Sequence, residues 1–274
     1  MTTPATVDTG TADAAEHRGP PPAAPISMIE RMTVILDAFD PHTPSLSLLD
    51  LAERTGLPRS TLHRILDQMI RLRWLTHSTG GYRLGMRPLE LGGRAAGHSE
   101  IRDVVTPLLH EMCRRTGLAG HLAVLDGREV VFLDKAGGRP AARLPTRLGA
   151  RLPAHTTAVG KAILATLEPG LVDSAYRGRL PQSTARSLRT AADLRHELAR
   201  IRGREGLAVD NEETLSGIRC VAAPLHGCGQ ATAALSLCGD RQAVDFKELA
   251  PLVHDVAGEA RRALFPRLGR HRTG

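Results

Sequence analysis

The sequence predicts an α+β protein with a small helical N-terminal domain and a larger domain built on an antiparallel sheet. The chain has 274 residues, about the length of two ordinary domains, and 42% of them are apolar. Amphipathic helical patterns and one short hairpin occupy residues 26–87. Beyond residue 98, pairs of β-rich runs alternate with helices, which favours antiparallel pairing over parallel βαβ units.

The composition restricts the class of protein. Aromatic residues make up 3% of the chain, so stacked aromatic platforms for single-stranded nucleic acid are not expected. No apolar run reaches the length of a membrane span, and the N-terminus lacks the pattern of a secretory signal. We therefore expect a cytoplasmic protein without a membrane partner. The four cysteines are expected to be free thiols, because their spacing matches neither the CxxC pairs of metal sites nor a dense disulfide framework. They are Cys113, Cys220, Cys228 and Cys238.

Positive charge is concentrated in one segment. The formal net charge is +7, and residues 57–94 carry seven arginines against two acidic residues. A local excess of this kind is typical of a surface that contacts phosphates. The segment 267–274 is also basic, and it is either a weak electrostatic tail or a solvated end.

The N-terminal domain begins after a tail that we expect to be disordered. Residues 1–25 are rich in Thr, Ala, Pro and Gly and lack hydrophobic periodicity. From Ser27 the apolar residues recur on one helical face until Pro41 ends the pattern. This predicts a first amphipathic helix in a domain that covers residues 26–87.

Two short helices follow, separated by a tight turn. Ser47 can cap the first helix, and Pro58 suits the first turn of the second. Ala52 allows the helices to approach closely, and Gly56 lies where the turn requires a positive φ. The spacing predicts a helix-turn-helix. A hairpin with a glycine-containing turn at Gly80 follows it, and then a linker helix over residues 88–98.

The second domain is predicted over residues 99–266. Two β-rich runs joined at Asp126-Gly127 give the strongest short hairpin signal. Helices are predicted from about Thr157 to Leu167, where Pro169 ends the pattern, from Ala191 to Arg202 with an approximate capping box, and from about Asp245 to Leu264. Two further strands, RCVAAPL and ATAALSL, flank a loop at residues 226–230.

The outward face of the second helix of the pair carries groups suited to DNA. Arg, Ser and Thr near a helix N-terminus supply donors for base edges and for phosphates. The alternative is an ordinary solvated helix face. The order of helix, turn, helix and hairpin is that of a winged helix-turn-helix, whose hairpin meets the phosphate backbone. We therefore predict that double-stranded operator DNA is contacted by Arg59, Ser60, Thr61, His63 and Arg64 on the helix and by Tyr82 and Arg83 on the hairpin.

The chain resembles the IclR family of bacterial transcriptional regulators over about residues 27–265. In the first domain the resemblance rests on LAERTGLPRSTLHRIL followed by YRLG. In the second it rests on LPAHTTAVGKAILA and GLAVDNEETLSGIRCVAAPL, which combine glycines, acids and a cysteine at fixed offsets. The resemblance implies a winged helix-turn-helix, a linker helix and a C-terminal effector-binding domain similar to GAF and PAS folds. It also implies a homodimer or a tetramer made of two dimers on a palindromic operator.

The second domain contains no GxSxG, HExxH, GxGxxG or P-loop pattern, so we expect neither an enzyme nor a metal or cofactor. Alternation along a strand places Ser236 and Cys238 on one face of the sheet. Free N–H groups at a helix N-terminus suit a carboxylate, so we expect a small organic acid as the effector. The resemblance assigns the effector site to Ala158, Val159, Asp210, Cys220, Ser236 and Cys238, with an apolar wall of Leu144 and Leu152.

These assignments have alternatives. Cys220 and Cys238 could simply fill an apolar core, and Asp210 could be a solvated acid beside two glutamates. Departing from the family pattern, the loop after His226 continues with Gly227 and Cys228. We interpret four arginines between the predicted hairpin and the next helix as loop charges, with a subunit contact as an open alternative. Proline and glycine interrupt any continuous helix through Arg139, Arg143, Arg147 and Arg151.

A function of another class is also open. The chain could be a metabolite-binding sensor or enzyme whose helix pair serves only for dimerisation. A dimer interface should lack the charge excess of residues 57–94, and its contacts with DNA would show no sequence preference. A constitutive architectural DNA binder is disfavoured by the size of the second domain.

Overall fold

A computed structural model describes residues 27–40, 43–97, 100–226 and 233–265. The predicted disordered tail 1–25, the basic tail 267–274 and the altered loop at Gly227 and Cys228 lie outside these described residues. The chain divides into two compact units, Met1–Gly92 and Gly93–Gly274. Within the described ranges, every helix is too short or too polar to cross a bilayer.

The first unit consists of helices that pack around a small core and a two-stranded hairpin. Ser27 and Ser47 each cap a helix through a reciprocal capping box. Gly56 ends the second helix with φ of 68°, as expected for the turn of the helix pair. The elements are α1 (Met28–Asp37), α2 (Leu48–Thr55), α3 (Arg59–Arg71), β1 (Leu75–Ser78), β2 (Gly81–Leu84) and α4 (Met86–Gly97), whose last residues continue into the second unit.

The core of the first unit is mainly aliphatic. Ile35 from α1, Leu51 from α2 and Leu62 from α3 are fully buried. Leu46 pairs with Tyr82 of the hairpin through two backbone hydrogen bonds of 2.8 and 3.0 Å, which attaches the hairpin to the segment before α2. The inward face of α3 is therefore committed to packing, and its opposite face is left to solvent.

The second unit contains the remaining elements of the fold. Their order alternates hairpins with helices, as the sequence predicted. They are α5 (Glu100–Thr116), β3 (Ala119–Asp126), β4 (Glu129–Ala136), α6 (Gly138–Arg143), β5 (Arg151–Pro153), α7 (Ala158–Leu164), α8 (Pro169–Ala175), α9 (Ala191–Arg202), β6 (Ala208–Asn211), β7 (Ile218–Leu225), β8 (Ala233–Asp240) and α10 (Phe246–Leu264).

The strands form one antiparallel sheet in the order β5-β4-β3-β8-β7-β6. One face packs on α5 and α10, with Leu109 and Val253 in its core. The other face packs on α7 and α9, with Ile163 and Leu198 in its core. The predicted antiparallel sheet covered by helices is therefore confirmed.

Several local predictions need correction. Arg139 and Arg143 lie on α6 and Arg151 lies on β5, so these three are not loop charges. Pro140 is accommodated because it occupies the first turn of α6, where a missing N–H breaks no helical hydrogen bond. Pro169 begins α8, so it starts a helix as well as following α7.

Candidate functional site

A cavity in the second unit opens between the sheet and the N-terminal end of α7. Its volume is about 130 Å³, which leaves room for several water-sized groups and so for a small ligand. All eight residues that the resemblance assigned to an effector site line this one cavity. They are Leu144, Leu152, Ala158, Val159, Asp210, Cys220, Ser236 and Cys238.

Helix α7 begins at the wall of the cavity. Thr157 caps it by accepting a hydrogen bond of 3.0 Å from the backbone N–H of Gly160. Ala158 and Val159 occupy the first two helical positions, whose N–H groups have no partner within a helix. A Cβ atom on Gly160 would lie 2.2 Å from the carbonyl oxygen of Ala154, so glycine allows the helix to sit against the preceding segment.

Asp210 contributes a buried carboxyl group to the cavity. It is 2% exposed, and its Oδ1 accepts hydrogen bonds from the backbone N–H groups of Glu213 at 2.6 Å and Thr214 at 3.3 Å. Burial raises the pKa of Asp210 to about 7, although the nearby ammonium of Lys161 acts in the opposite direction. The carboxyl group is therefore partly protonated near neutral pH.

A buried ion pair supports this side of the cavity. The ammonium of Lys161, on α7, contacts the carboxylate of Glu213 and is completely buried. Burial raises the pKa of Glu213, and the contact with Lys161 opposes that rise. The pair joins α7 to the segment between β6 and β7, which also contributes Thr214 to the cavity lining.

Two thiols face the cavity from neighbouring strands. Cys220 on β7 and Cys238 on β8 are direct register partners, and Ser236 Oγ lies 3.7 Å from Cys238 Sγ. The hydrogen bond to Cys238 and burial raise the pKa of the Cys220 thiol. Burial also opposes ionisation of Cys238, but hydrogen bonds with Cys220, His121 and Ser236 lower the pKa of the Cys238 thiol to about 5.

Other cavity residues were not assigned from the sequence. His121 lies on β3 opposite Ser236, and its Nε2 is 2.7 Å from Thr146 Oγ1. His121 could have been identified as a cavity residue from the pairing of β3 with β8. The sequence of either strand alone does not predict that pairing. The other unassigned lining residues are Phe132, Pro145, Thr146, Thr157, Thr214, Leu215 and Ile218.

In the first unit, α3 presents the predicted polar face to solvent. Arg59, Ser60, His63 and Arg64 are exposed, and Thr61 is half-buried. His63 Nδ1 lies 3.3 Å from a carboxylate oxygen of Asp67 one turn further along the helix. Because Arg59, Ser60 and Thr61 occupy the first turn, their groups project from the N-terminal end of the helix.

The prediction for Tyr82 needs correction. Its side chain is 7% exposed and packs in the core of the first unit, with its ring 4.4 Å from the ring of His77. The pKa of Tyr82 is raised, first because of burial and then because of the charge of Asp67. Tyr82 therefore supports the hairpin from within, whereas the neighbouring Arg83 is exposed.

Comparison with known proteins gives matches over both units. A family model described as the IclR helix-turn-helix domain matches residues 28–78. A second, described as the C-terminal domain of the bacterial transcriptional regulator IclR, matches residues 93–263. Together the two models span the described helix pair and the described cavity.

Similar chains are known from curated proteins and solved structures. The HTH-type transcriptional regulator XynR of Escherichia coli is 37% identical over 229 residues, covering 82% of this chain and 90% of the relative. An IclR homolog from Microbacterium hydrocarbonoxydans, crystallised with 4-hydroxybenzoate, has a TM-score of 0.78 and 26% identity, covering 87% of this chain and 99% of that one. The Thermotoga maritima IclR structure has a TM-score of 0.72 and 27% identity, covering 86% and 98% of the two chains.

Proposed function

Because the chain belongs to the IclR family of bacterial transcriptional regulators, we propose that a small organic acid bound in the second-unit cavity controls its binding to operator DNA. The chain is a DNA-binding regulator with a C-terminal effector domain. The observation that carries the proposal is the convergence of all eight assigned residues on one cavity. Repression and activation both require this arrangement.

The cavity lining favours an acid with an apolar body. Leu144, Leu152 and Phe132 provide apolar contacts, while Asp210 and Ser236 provide hydrogen-bonding groups. A ligand carboxylate is repelled less by Asp210 when that carboxyl is protonated, and its pKa of about 7 allows this near neutral pH. The related Microbacterium protein was crystallised with 4-hydroxybenzoate, an acid of this type.

The first unit supplies the groups that would contact DNA. We assign base and phosphate contacts to Arg59, Ser60, Thr61, His63 and Arg64 on α3, and a phosphate contact to Arg83 on the hairpin. The exposure of α3 and the match of residues 28–78 to the helix-turn-helix model support this assignment. Such a role places the protein in the cytoplasm, and it requires no catalytic residue.

We further propose that the chain acts as a homodimer or as a tetramer of two dimers. Helix α1 exposes Met28 and Ile29, and α4 exposes Met86 and Leu89. A contiguous surface of such side chains is typical of a face that another chain covers. A two-fold arrangement would present two copies of α3 to the half-sites of a palindromic operator. In this proposal the DNA-binding domain is 26–87, the linker helix is 88–98 and the effector domain is 99–266.

Calorimetric titration with 4-hydroxybenzoate, benzoate and short aliphatic acids tests the effector assignment. The wild-type chain should bind at least one of these acids, and Leu152→Trp, which fills the cavity, should abolish the heat. Leu171→Trp is the matched control because Leu171 is exposed on α8 and is absent from the cavity lining. Equal binding by both variants would exclude this cavity, and absence of binding by wild type would exclude this class of effector.

The enzyme or sensor alternative is tested separately by DNA binding. An anisotropy titration with labelled DNA from upstream of the chain's own gene, with unrelated DNA as competitor, measures sequence preference. Binding that resists the competitor supports a regulator, whereas equal binding to both DNAs favours a helix pair used only for dimerisation.

A further inference from the structure

We propose that Cys220 and Cys238 form an oxidisable dithiol inside the cavity, which hydrogen peroxide converts to a disulfide. This modification site is additional to acid binding by the same cavity. The pair lies on adjacent antiparallel strands, in direct register, with both side chains in the cavity lining.

The backbone geometry is compatible with a disulfide. Directly opposed residues in an antiparallel pair have Cα atoms roughly 4.5 to 5.5 Å apart. Disulfides accept Cα separations of roughly 4.4 to 6.8 Å, a range that covers directly opposed residues on β7 and β8. Cys220 is half-buried and Cys238 is buried, and both line the cavity, so we expect a small oxidant to reach them through the cavity mouth.

The surroundings distinguish Cys238 as the thiol that reacts first. Ser236 Oγ lies 3.7 Å from its sulfur, and His121, which lies opposite Ser236 in the sheet, also lowers the pKa of this thiol. These contacts stabilise the thiolate, which is the nucleophilic form of cysteine. Cys113 provides a contrast, since it packs on the opposite face of the sheet, and burial raises the pKa of its thiol to about 11.

The oxidation balances with hydrogen peroxide as the oxidant. The Cys238 thiolate attacks one peroxide oxygen, the O–O bond breaks, and the released hydroxide takes up a proton to leave as water. The sulfur of Cys238 is then a sulfenic acid. Cys220 loses its proton and attacks that sulfur, the S–O bond breaks, the S–S bond forms, and the second water leaves. In total, two thiols lose two hydrogen atoms and one peroxide is reduced to two waters.

The disulfide would change the cavity as well as the thiols. It removes two weak donors from the wall and ties β7 to β8 beneath the ligand. If the cavity binds an organic acid, as proposed above, we expect oxidation to weaken that binding about tenfold, which corresponds to the loss of one hydrogen bond. This consequence rests on the proposed function, whereas formation of the disulfide does not.

Peptide mapping of the full chain tests the disulfide directly. The reduced protein is treated with hydrogen peroxide, quenched in acid, alkylated under denaturing conditions and digested. We expect a cross-linked peptide pair containing Cys220 and Cys238, lighter by two hydrogen atoms than the reduced peptides, while Cys113 stays alkylated. Alkylation of both cavity cysteines, separate sulfinic acids, or a cross-link to Cys113 or Cys228 would overturn the proposal.

Two variants test the order of the steps. Cys220→Ser should stop at a sulfenic acid on Cys238, trapped by dimedone, and Cys113→Ser should oxidise like wild type. Circular dichroism tests whether each variant is folded. If a variant is not folded, the peptide map of the wild-type protein still decides whether the disulfide forms. The reverse result would overturn the assignment of Cys238 as the first nucleophile. In that case dimedone would label Cys220 in the Cys238→Ser variant and would not label Cys238 in the Cys220→Ser variant. Calorimetric titration of oxidised and reduced wild type with the organic acids then measures the effect of the disulfide on ligand binding, separately from formation of the disulfide.

Discussion

The ammonium of Lys161 is fully buried on α7 and contacts the carboxylate of Glu213 in the segment between β6 and β7. Asp210 lies beside this pair, and it anchors the same segment through hydrogen bonds to the backbone of Glu213 and Thr214. The segment between β6 and β7 is thus attached to α7 by a buried ion pair, and hydrogen bonds to Asp210 hold the same segment in place.

Removing one partner of the buried ion pair should destabilise the second unit strongly. Lys161→Met leaves the Glu213 carboxylate without its buried partner, so we expect the free energy of unfolding to fall by about 3 to 5 kcal/mol. Urea unfolding measures the change. The matched control is Arg114→Ala, which removes an exposed pair with Glu111 and should change the free energy of unfolding little, because solvent screens the pair. Similar losses in the two variants would show that burial of Lys161 adds nothing.

Asp210 should make stability depend on pH. Its folded-state pKa of about 7 lies above the value in an unfolded chain, so its contribution is fully present in acid and is lost as the pH rises from about 4 towards 7. Asp210→Asn removes this titration, and Asn can still accept the backbone hydrogen bonds. As the pH rises from about 4 to 7, the free energy of unfolding of wild type should fall by on the order of 2 to 4 kcal/mol relative to that of Asp210→Asn. Parallel urea-unfolding profiles from pH 4.5 to 7 would contradict the assignment.

The close approach of α7 to the preceding segment should make Gly160 intolerant of a side chain. The Cβ of Gly160→Ala would lie 2.2 Å from the carbonyl oxygen of Ala154 and 2.5 Å from its Cα. Relieving these contacts should cost about 1 to 3 kcal/mol in thermal or urea unfolding. Gly170→Ala is the control, since no atom lies within 4 Å of the added Cβ in α8. A Gly160 variant as stable as the Gly170 variant would show that the helix shifts freely.

Arg64 should contribute to operator affinity. It is exposed on α3, so Arg64→Ala should leave folding intact and weaken binding by about 1 to 3 kcal/mol if the contact is to a base. Arg114→Ala, on α5, is the control for loss of one exposed arginine. Anisotropy titrations with the upstream DNA compare the two variants. Unchanged affinity in Arg64→Ala would remove this residue from the contact surface.

Local sequence signals predicted much of the fold. Asp126-Gly127 forms the turn between β3 and β4, and Gly127 has the positive φ that the turn requires. Thr190 and Asp193 form a complete capping box at the start of α9. Alternation along β8 correctly placed Ser236 and Cys238 together. Each of these features depends on residues close in sequence, so neighbouring side chains are sufficient to indicate them.

Two features that escaped prediction depend on distant contacts. Tyr82 is buried because its strand pairs with Leu46, 36 positions earlier in the chain. His121 reaches the cavity because β3 pairs with β8, which lies far along the sequence. Strand order and register decide both positions, and the sequence of one strand does not specify them. Helix α6 was missed for a local reason, because Pro140 lies in its first turn, where proline does not interrupt a helix.

The proposed function requires coupling between the cavity and the DNA-binding helix α3. An anisotropy titration of the upstream DNA, with and without a saturating acid from the calorimetric panel, measures this coupling in wild type and in Leu152→Trp. We expect the acid to shift the operator affinity of wild type about five-fold or more, in the range of ordinary allosteric coupling, and to leave that of the variant with the filled cavity unchanged. If the operator affinity of wild type is the same with and without the acid, while calorimetry shows the cavity occupied, the two sites are not coupled.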